Sequence, residues 1–143
     1  MKNIPKKQDY RYFVDVTTRW MDNDIYGHVN NATYYSYFDT AANKYLIDKC
    51  ELDIQNSDTV GFVVASSCEY HAPIAYPDKL AVGVRVGKLG NSSVTYAIGI
   101  FKQNSDQAVA HGNFTHVFVD RASGQSTPIP ENIRNALIAI LEK

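Results

Sequence analysis

Within the ten residues from Asp22 to Asn31 the chain places two carboxylates, a glycine, an imidazole and two amides that bear on chemistry: Asp22, Asp24, Gly27, His28, Asn30 and Asn31. A stretch with helical spacing follows at once, so Asn30 or Asn31 is placed to cap it. The start of a helix presents backbone N–H groups without intrahelical partners and the positive end of the helix dipole, and both attract an oxyanion. A carboxylate held a few residues upstream on a turned loop can face the same point as base or nucleophile, with the N–H groups polarising the carbonyl between them. That pairing suits hydrolysis of an acyl group.

Each of these residues also has a plainer reading. Asp beside Gly is a frequent turn former, so Asp24 serves equally as the head of an Asx turn until its surroundings are considered. Asp22, two positions away on an extended segment, is read as structural. His28 either donates a proton or hydrogen bond to the reacting group or braces the loop through a backbone bond. Tyr34, Tyr35 and Phe38 line an acyl pocket or simply fill the core, as aromatic residues at helical spacing more often do.

The elements that must position these groups are legible from periodicity. Tyr10 to Thr18 is rich in aromatic and β-branched residues and reads as a first strand. From Asn31, the positions Tyr34, Tyr35, Phe38, Ala41, Ala42, Tyr45 and Leu46 recur at spacings of three, four and seven, which predicts a central helix of about four turns. Asp48 to Asp58 reads as a polar connection with room for one short turn. Four strands are predicted over Gly61–His71, Lys79–Leu89, Ser93–Gln103 and Ala108–Val119, with alternation in the second and third that fits one buried face. After Pro128-Ile129-Pro130, Glu131 to Leu141 carries Ile133, Leu137, Ile138 and Leu141 on one face of a final helix. The order gives one α+β domain over residues 1–143, with a five-stranded, mainly antiparallel, curved sheet against a long helix.

Composition narrows the partners. With 14 Lys+Arg against 15 Asp+Glu and no basic run, the chain lacks the charge that nucleic acid demands. The first nine residues hold no apolar core, so neither a signal peptide nor membrane insertion is expected, and the expected location is cytoplasmic. Cys50 and Cys68 are read as reduced packing residues. His71, His111 and His116 lack metal-ligand spacing and are read as partly buried polar residues, so no metal is expected. Ser66 and Ser67 lack a nucleophile elbow, and the glycines of residues 83–99 form no dinucleotide loop, so no cofactor is expected. The aromatic faces of the long helix, with Tyr34, Tyr35, Tyr37 and Phe38 pointing several ways, exceed what one sheet covers and point to a homo-oligomer.

The pattern Asp22-x-Asp24-x-x-Gly27-His28-Val29-Asn30-Asn31-x-x-Tyr34 resembles the 4-hydroxybenzoyl-CoA thioesterase branch of the hotdog-fold acyl-CoA thioesterases, and the order of elements resembles it from about residue 10 to 120. The resemblance implies a hotdog fold and hydrolysis of an acyl-CoA thioester to free acid and coenzyme A. It implies Asp24 as the catalytic carboxylate, the N–H of Asn31 as the group polarising the thioester carbonyl, and active sites at the interface of a homodimer or homotetramer. It sets Gly27, Val29, Asn30 and Tyr34 beside the substrate, and Asn91, Ser92 and Ser93 in a segment that resembles those approaching the nucleotide and pantetheine of coenzyme A. The chain departs from the pattern along the helix, where Ala41, Ala42 and Asn43 follow Asp39 and many relatives carry an arginine. Another branch draws its catalytic glutamate from that helix, where only Asp39 is acidic here.

Two other activities fit the same fold: hydrolysis of an acyl-ACP, or dehydration of a 3-hydroxyacyl thioester, which needs an acid–base pair across two carbons. A third reading is a module that binds acyl-CoA without turning it over, against which the Asp24 to Asn31 run argues.

Overall fold

The spacing that predicts the long helix also decides how it is buried. In the computed structural model, which describes residues 3–53 and 55–142 (Met1, Lys2, Ile54 and Lys143 lie outside them), helix α1 spans Thr33–Cys50. It buries Tyr34, Tyr37, Phe38, Ala41, Ala42, Tyr45, Leu46 and Cys50 against one face of a sheet. The helix is longer than its apolar pattern suggests, because Asp48 and Lys49 continue it to Cys50; the connection is shorter by as much. It stops where Glu51 turns left-handed at φ 56, with the N–H groups of Glu51 and Leu52 both reaching the Leu46 carbonyl.

The sheet consists of β1 (Tyr12–Thr17), β2 (Thr59–Tyr70), β3 (Lys79–Leu89), β4 (Ser93–Lys102) and β5 (Ala110–Asp120). Their spatial order is β1-β3-β4-β5-β2, and every neighbouring pair is antiparallel. This five-stranded sheet against a central helix, followed by the C-terminal α2 (Glu131–Ala139), is the hotdog architecture. The first strand starts two residues later than Tyr10, for a reason that corrects a second expectation. Residues 80–84 of β3 are buried on both faces, not one. The chain before β1 folds across the outer face of the sheet, tied by Ala108 N–H to the Pro5 carbonyl and Lys7 N–H to the Asp106 carbonyl. Tyr10 there packs with Phe101, Ala81 and Ala108. Gly83 and Gly99 make room for it: a Cβ on Gly99 would come within 2.6 Å of the Tyr10 ring, and one on Gly83 within 2.8 Å.

At the C-terminus, α2 buries Ile133 and Leu137 as predicted, whereas Ile138 is half exposed and Leu141 lies beyond the helix, bridging to Val86. At the other side of the sheet β2 is an edge strand whose Phe62, Val63 and Val64 are 54%, 47% and 59% exposed. A bulge between Val63 and Ala65 shifts its register on β5.

Candidate active site

The site grows out of the chain between β1 and α1. A single 3-10 turn, Trp20–Asp22, follows β1 and buries the Asp22 carboxylate. Its Oδ2 accepts the Tyr37 hydroxyl at 2.8 Å and the Arg19 backbone N–H at 2.9 Å, while Oδ1 accepts the Arg19 guanidinium at 3.1 and 3.2 Å. Burial pushes the Asp22 pKa up, but the hydrogen bonds from Arg19 and Tyr37 together outweigh it and hold the carboxyl below its ordinary range. Asp22 is the structural residue its position implies.

Asp24 to His28 form a miniature hairpin. The Asp24 N–H reaches the His28 carbonyl at 2.9 Å, and the Gly27 N–H reaches the Asp24 carbonyl at 3.0 Å. Gly27, at φ 85, supplies the left-handed residue that such a three-residue loop needs. Asp24 Oδ1 accepts the Tyr26 N–H at 2.9 Å, so its carboxylate does head an Asx turn, leaving Oδ2 outside that bond. The hairpin is clamped from the β2–β3 connection, where the Ile74 carbonyl accepts the Val29 N–H at 2.7 Å and the Tyr76 N–H donates to Asn23 Oδ1 at 3.0 Å.

Of the two amides, Asn30 carries the cap. The regular helix starts at Thr33 and its N-cap position falls on Ala32, which has no side chain to offer. The turn before it compensates, with Asn30 Oδ1 accepting the Ala32 N–H at 2.9 Å and the Asn30 carbonyl accepting the Thr33 N–H at 2.9 Å. Asn31 is not a cap. Its carbonyl takes the Tyr70 hydroxyl at 3.0 Å, and among the described residues its N–H has no acceptor.

Two clefts border this stretch of chain, and Asp24 and Asn31 line different ones. One, of about 610 Å³, is lined by Asp24, Gly27 and Asn30 with the exposed side chains of Trp20, Ile25 and Tyr26. The other, of about 330 Å³, is lined by His28, Val29, Asn31, Tyr34, Tyr70 and His71. Val29 and Tyr34 are otherwise core residues; burial pushes the Tyr34 hydroxyl up to about 12. Asn91, Ser92 and Ser93 lie elsewhere. They form the β3–β4 turn at the far end of β3, roughly 30 Å along the strand from the Asp24 hairpin. The Asn91 and Ser92 carbonyls are taken up by Ile129, Arg134 and Phe118.

His71 and His111 are partly buried, as the sequence reading has them, whereas His116 is not. His116 is fully buried, against Tyr96, Phe114 and Gly61. His71 and His111 meet ring to ring beside the Asn31 groove, 40 residues apart in sequence, and no local spacing signals that contact. Among the described residues no three His, Cys, Asp or Glu side chains are arranged to hold a metal ion.

The sequence profile of the thioesterase-like superfamily matches residues 16–137. The chain belongs to that superfamily. It is similar to the PA5185 protein of Pseudomonas aeruginosa, with 49% identity over 99% of both chains and a TM-score of 0.96. PA2801 of the same organism, a proposed thioesterase, is 29% identical, covering 87% of this chain and 96% of that one with a TM-score of 0.81. The 1,4-dihydroxy-2-naphthoyl-CoA thioesterase Slr0204 of Synechocystis shares the fold at a TM-score of 0.80 and 20% identity, over 89% of this chain and 95% of that one. YsmA of Bacillus subtilis is 28% identical over 89 residues, which is 62% of this chain and 60% of that one. A member of this superfamily with these neighbours is a thioesterase in the broad sense.

Proposed function

We propose that the protein hydrolyses an acyl-CoA thioester, with Asp24 as nucleophile or general base and the Asn31 N–H as the oxyanion donor. The observation that carries this reading is the Asn31 N–H, without an acceptor among the described residues, one residue past the Asn30 cap at the head of α1 and seven residues after a carboxylate fixed by its own hairpin. Charge developing on the carbonyl oxygen would be met by that N–H and the helix dipole. An oxygen of water, deprotonated by Asp24, or of Asp24 itself would bond the carbonyl carbon as the C–S bond breaks, its electron pair leaving with coenzyme A as a thiolate; water would then cleave any acyl-Asp24 anhydride, and His28, which lines the same groove as Asn31, would assist. Gly27, Val29, Asn30 and Tyr34 shape the walls. A role for Asn91, Ser92 and Ser93 in gripping coenzyme A would fall to a second subunit's copy. The exposed apolar edge of β2 supports a homodimer or homotetramer as the working form. No described helix is long and apolar enough to cross a membrane.

Asp24→Asn is a clean test because an asparagine Oδ1 can still accept the Tyr26 N–H and keep the turn. The expected result is a drop in kcat of about 10²- to 10⁴-fold with an unchanged melting temperature. Hydrolysis near the wild-type rate would overturn the assignment. Release of coenzyme A from acetyl-, hexanoyl-, palmitoyl-, benzoyl- and phenylacetyl-CoA, read against enoyl formation, identifies the acyl class and separates hydrolysis from dehydration.

A further inference from the structure

Beside the Asn31 groove a second set of ionisable side chains runs in from the outer face of the sheet. Glu69 on β2 and His111 on β5 are cross-strand partners, with His111 Nε2 3.4 Å from Glu69 Oε2. His111 Nδ1 lies 2.8 Å from His71 Nε2, and the two rings meet edge to edge, with centroids 4.9 Å apart and planes inclined by 17°. His71 opens the segment 71–78 that clamps the Asp24 hairpin through the Ile74 carbonyl and the Tyr76 N–H. The start of that segment is tied to β5 by this ring contact and to the residue just before β5 by the N–H groups of His71 and Ala72, which reach the Val109 carbonyl at 2.8 and 3.1 Å.

A hydrogen bond between two imidazole nitrogens needs one proton and one lone pair. A neutral pair satisfies this, and so does a singly charged pair, whose bond is charge-assisted. When both rings are charged, N–H faces N–H and like charges repel. Glu69 from β2 lies against His111, while Arg85 from β3, Lys6 and Asp9 from the N-terminal segment, and Glu142 share the outer-face cleft with it. Tyr34 from α1, Tyr70 from β2 and His28 face the groove with His71.

We propose that His71 and His111 are positioning residues for the candidate active site, and that the proton they share holds segment 71–78, and through it the Asp24 hairpin, in place until acid charges both rings. This rests on the thioesterase reading for its effect on turnover, but not for the clamp itself. Two variants separate the contributions. His111→Gln offers a neutral amide that can still bond His71, whereas His111→Leu offers nothing.

The measurements are kcat/KM for acyl-CoA hydrolysis and hydrogen exchange at the Val29 and Tyr76 amides, both between about pH 4.5 and about pH 8. In the wild type, activity should fall and exchange should quicken together only toward the acid end of that range, because the first added proton keeps the bond and only the second breaks it. His111→Leu should lose roughly five- to tenfold in kcat/KM at neutral pH, with faster exchange at both amides. His111→Gln should restore both at neutral pH and lack the concerted acid step. A Gln profile that superimposes on the wild type, or wild-type exchange in the Leu variant, overturns the proposal. If the Leu variant does not fold, the Gln profile decides. If no acyl-CoA is hydrolysed, the functional reading fails and the exchange data still decide the clamp.

Discussion

Burial of His116 writes a pH dependence into stability. The side chain is 1% exposed, and its Nδ1 has no hydrogen-bond partner among the described residues. Desolvation lowers its pKa to about 4, against a smaller opposing influence from Asp39. A histidine depressed in the folded state binds its proton more tightly when unfolded. The stability tied to the neutral ring is therefore complete above the unfolded pKa of about 6.5 and declines as pH falls toward the folded value of about 4. The loss across that window is about 3 kcal/mol. Urea unfolding at neutral and acid pH should show it in the wild type, and His116→Phe, which fills the same space without a titrating group, should lose that much less. The same side chain marks a boundary on what residues reveal by themselves. Asp22 and Gly27 show their structural parts in type and spacing, and so does the Asx turn of Asp24, whereas His71 and His111 meet only because β2 and β5 pair in one register.

At the scale of elements, the hairpin-to-helix turn was legible because three local rules agree on it. Aspartate accepts a nearby N–H, glycine takes positive φ, and asparagine caps. The strands and both helices are likewise visible in periodicity, with ends off by a few residues. The double burial of β3 was not, because alternation of apolar with small residues cannot say whether another segment lies on the second face. Gly83 and Gly99 show the signal that was present: small residues paired across two strands where Tyr10 later sits. The choice between Asn30 and Asn31 as cap depended on where the turn closes, which lies within the ordinary uncertainty of a helix end. The hairpin gives its own prediction. An alanine at Gly27 would meet no atom within 4 Å, so any cost comes from the left-handed backbone alone. Gly27→Ala should cost about 1 kcal/mol in thermal unfolding, with a larger proportional loss of activity if the hairpin shifts to relieve it.

The whole molecule has an unequal pair of edges. β1 is a short edge strand of six residues, while β2 runs twelve and leaves Phe62, Val63 and Val64 in the open. An exposed apolar edge of that length is a template for pairing. We expect β2 to be covered by a second copy, so Phe62→Lys combined with Val63→Lys should yield a monomer in sedimentation and reduce turnover with the hairpin sequence untouched. An unchanged assembly would place the contact on another surface. The aromatic excess on α1 was the sequence's hint of association, yet Tyr34, Tyr37 and Tyr45 are already buried within one chain.

The strap over the outer face has one more consequence. Tyr10 and its neighbours close a slot that the paired glycines leave open, with Phe101 and Ala81 in its walls. A chain clipped by a protease just beyond Tyr10 would keep its Asp24 hairpin and its central helix intact. It would also bare a greasy furrow across the back of the barrel-like half-shell. Damage at the amino terminus would thus be felt first as stickiness and loss from solution, and only later as slower chemistry.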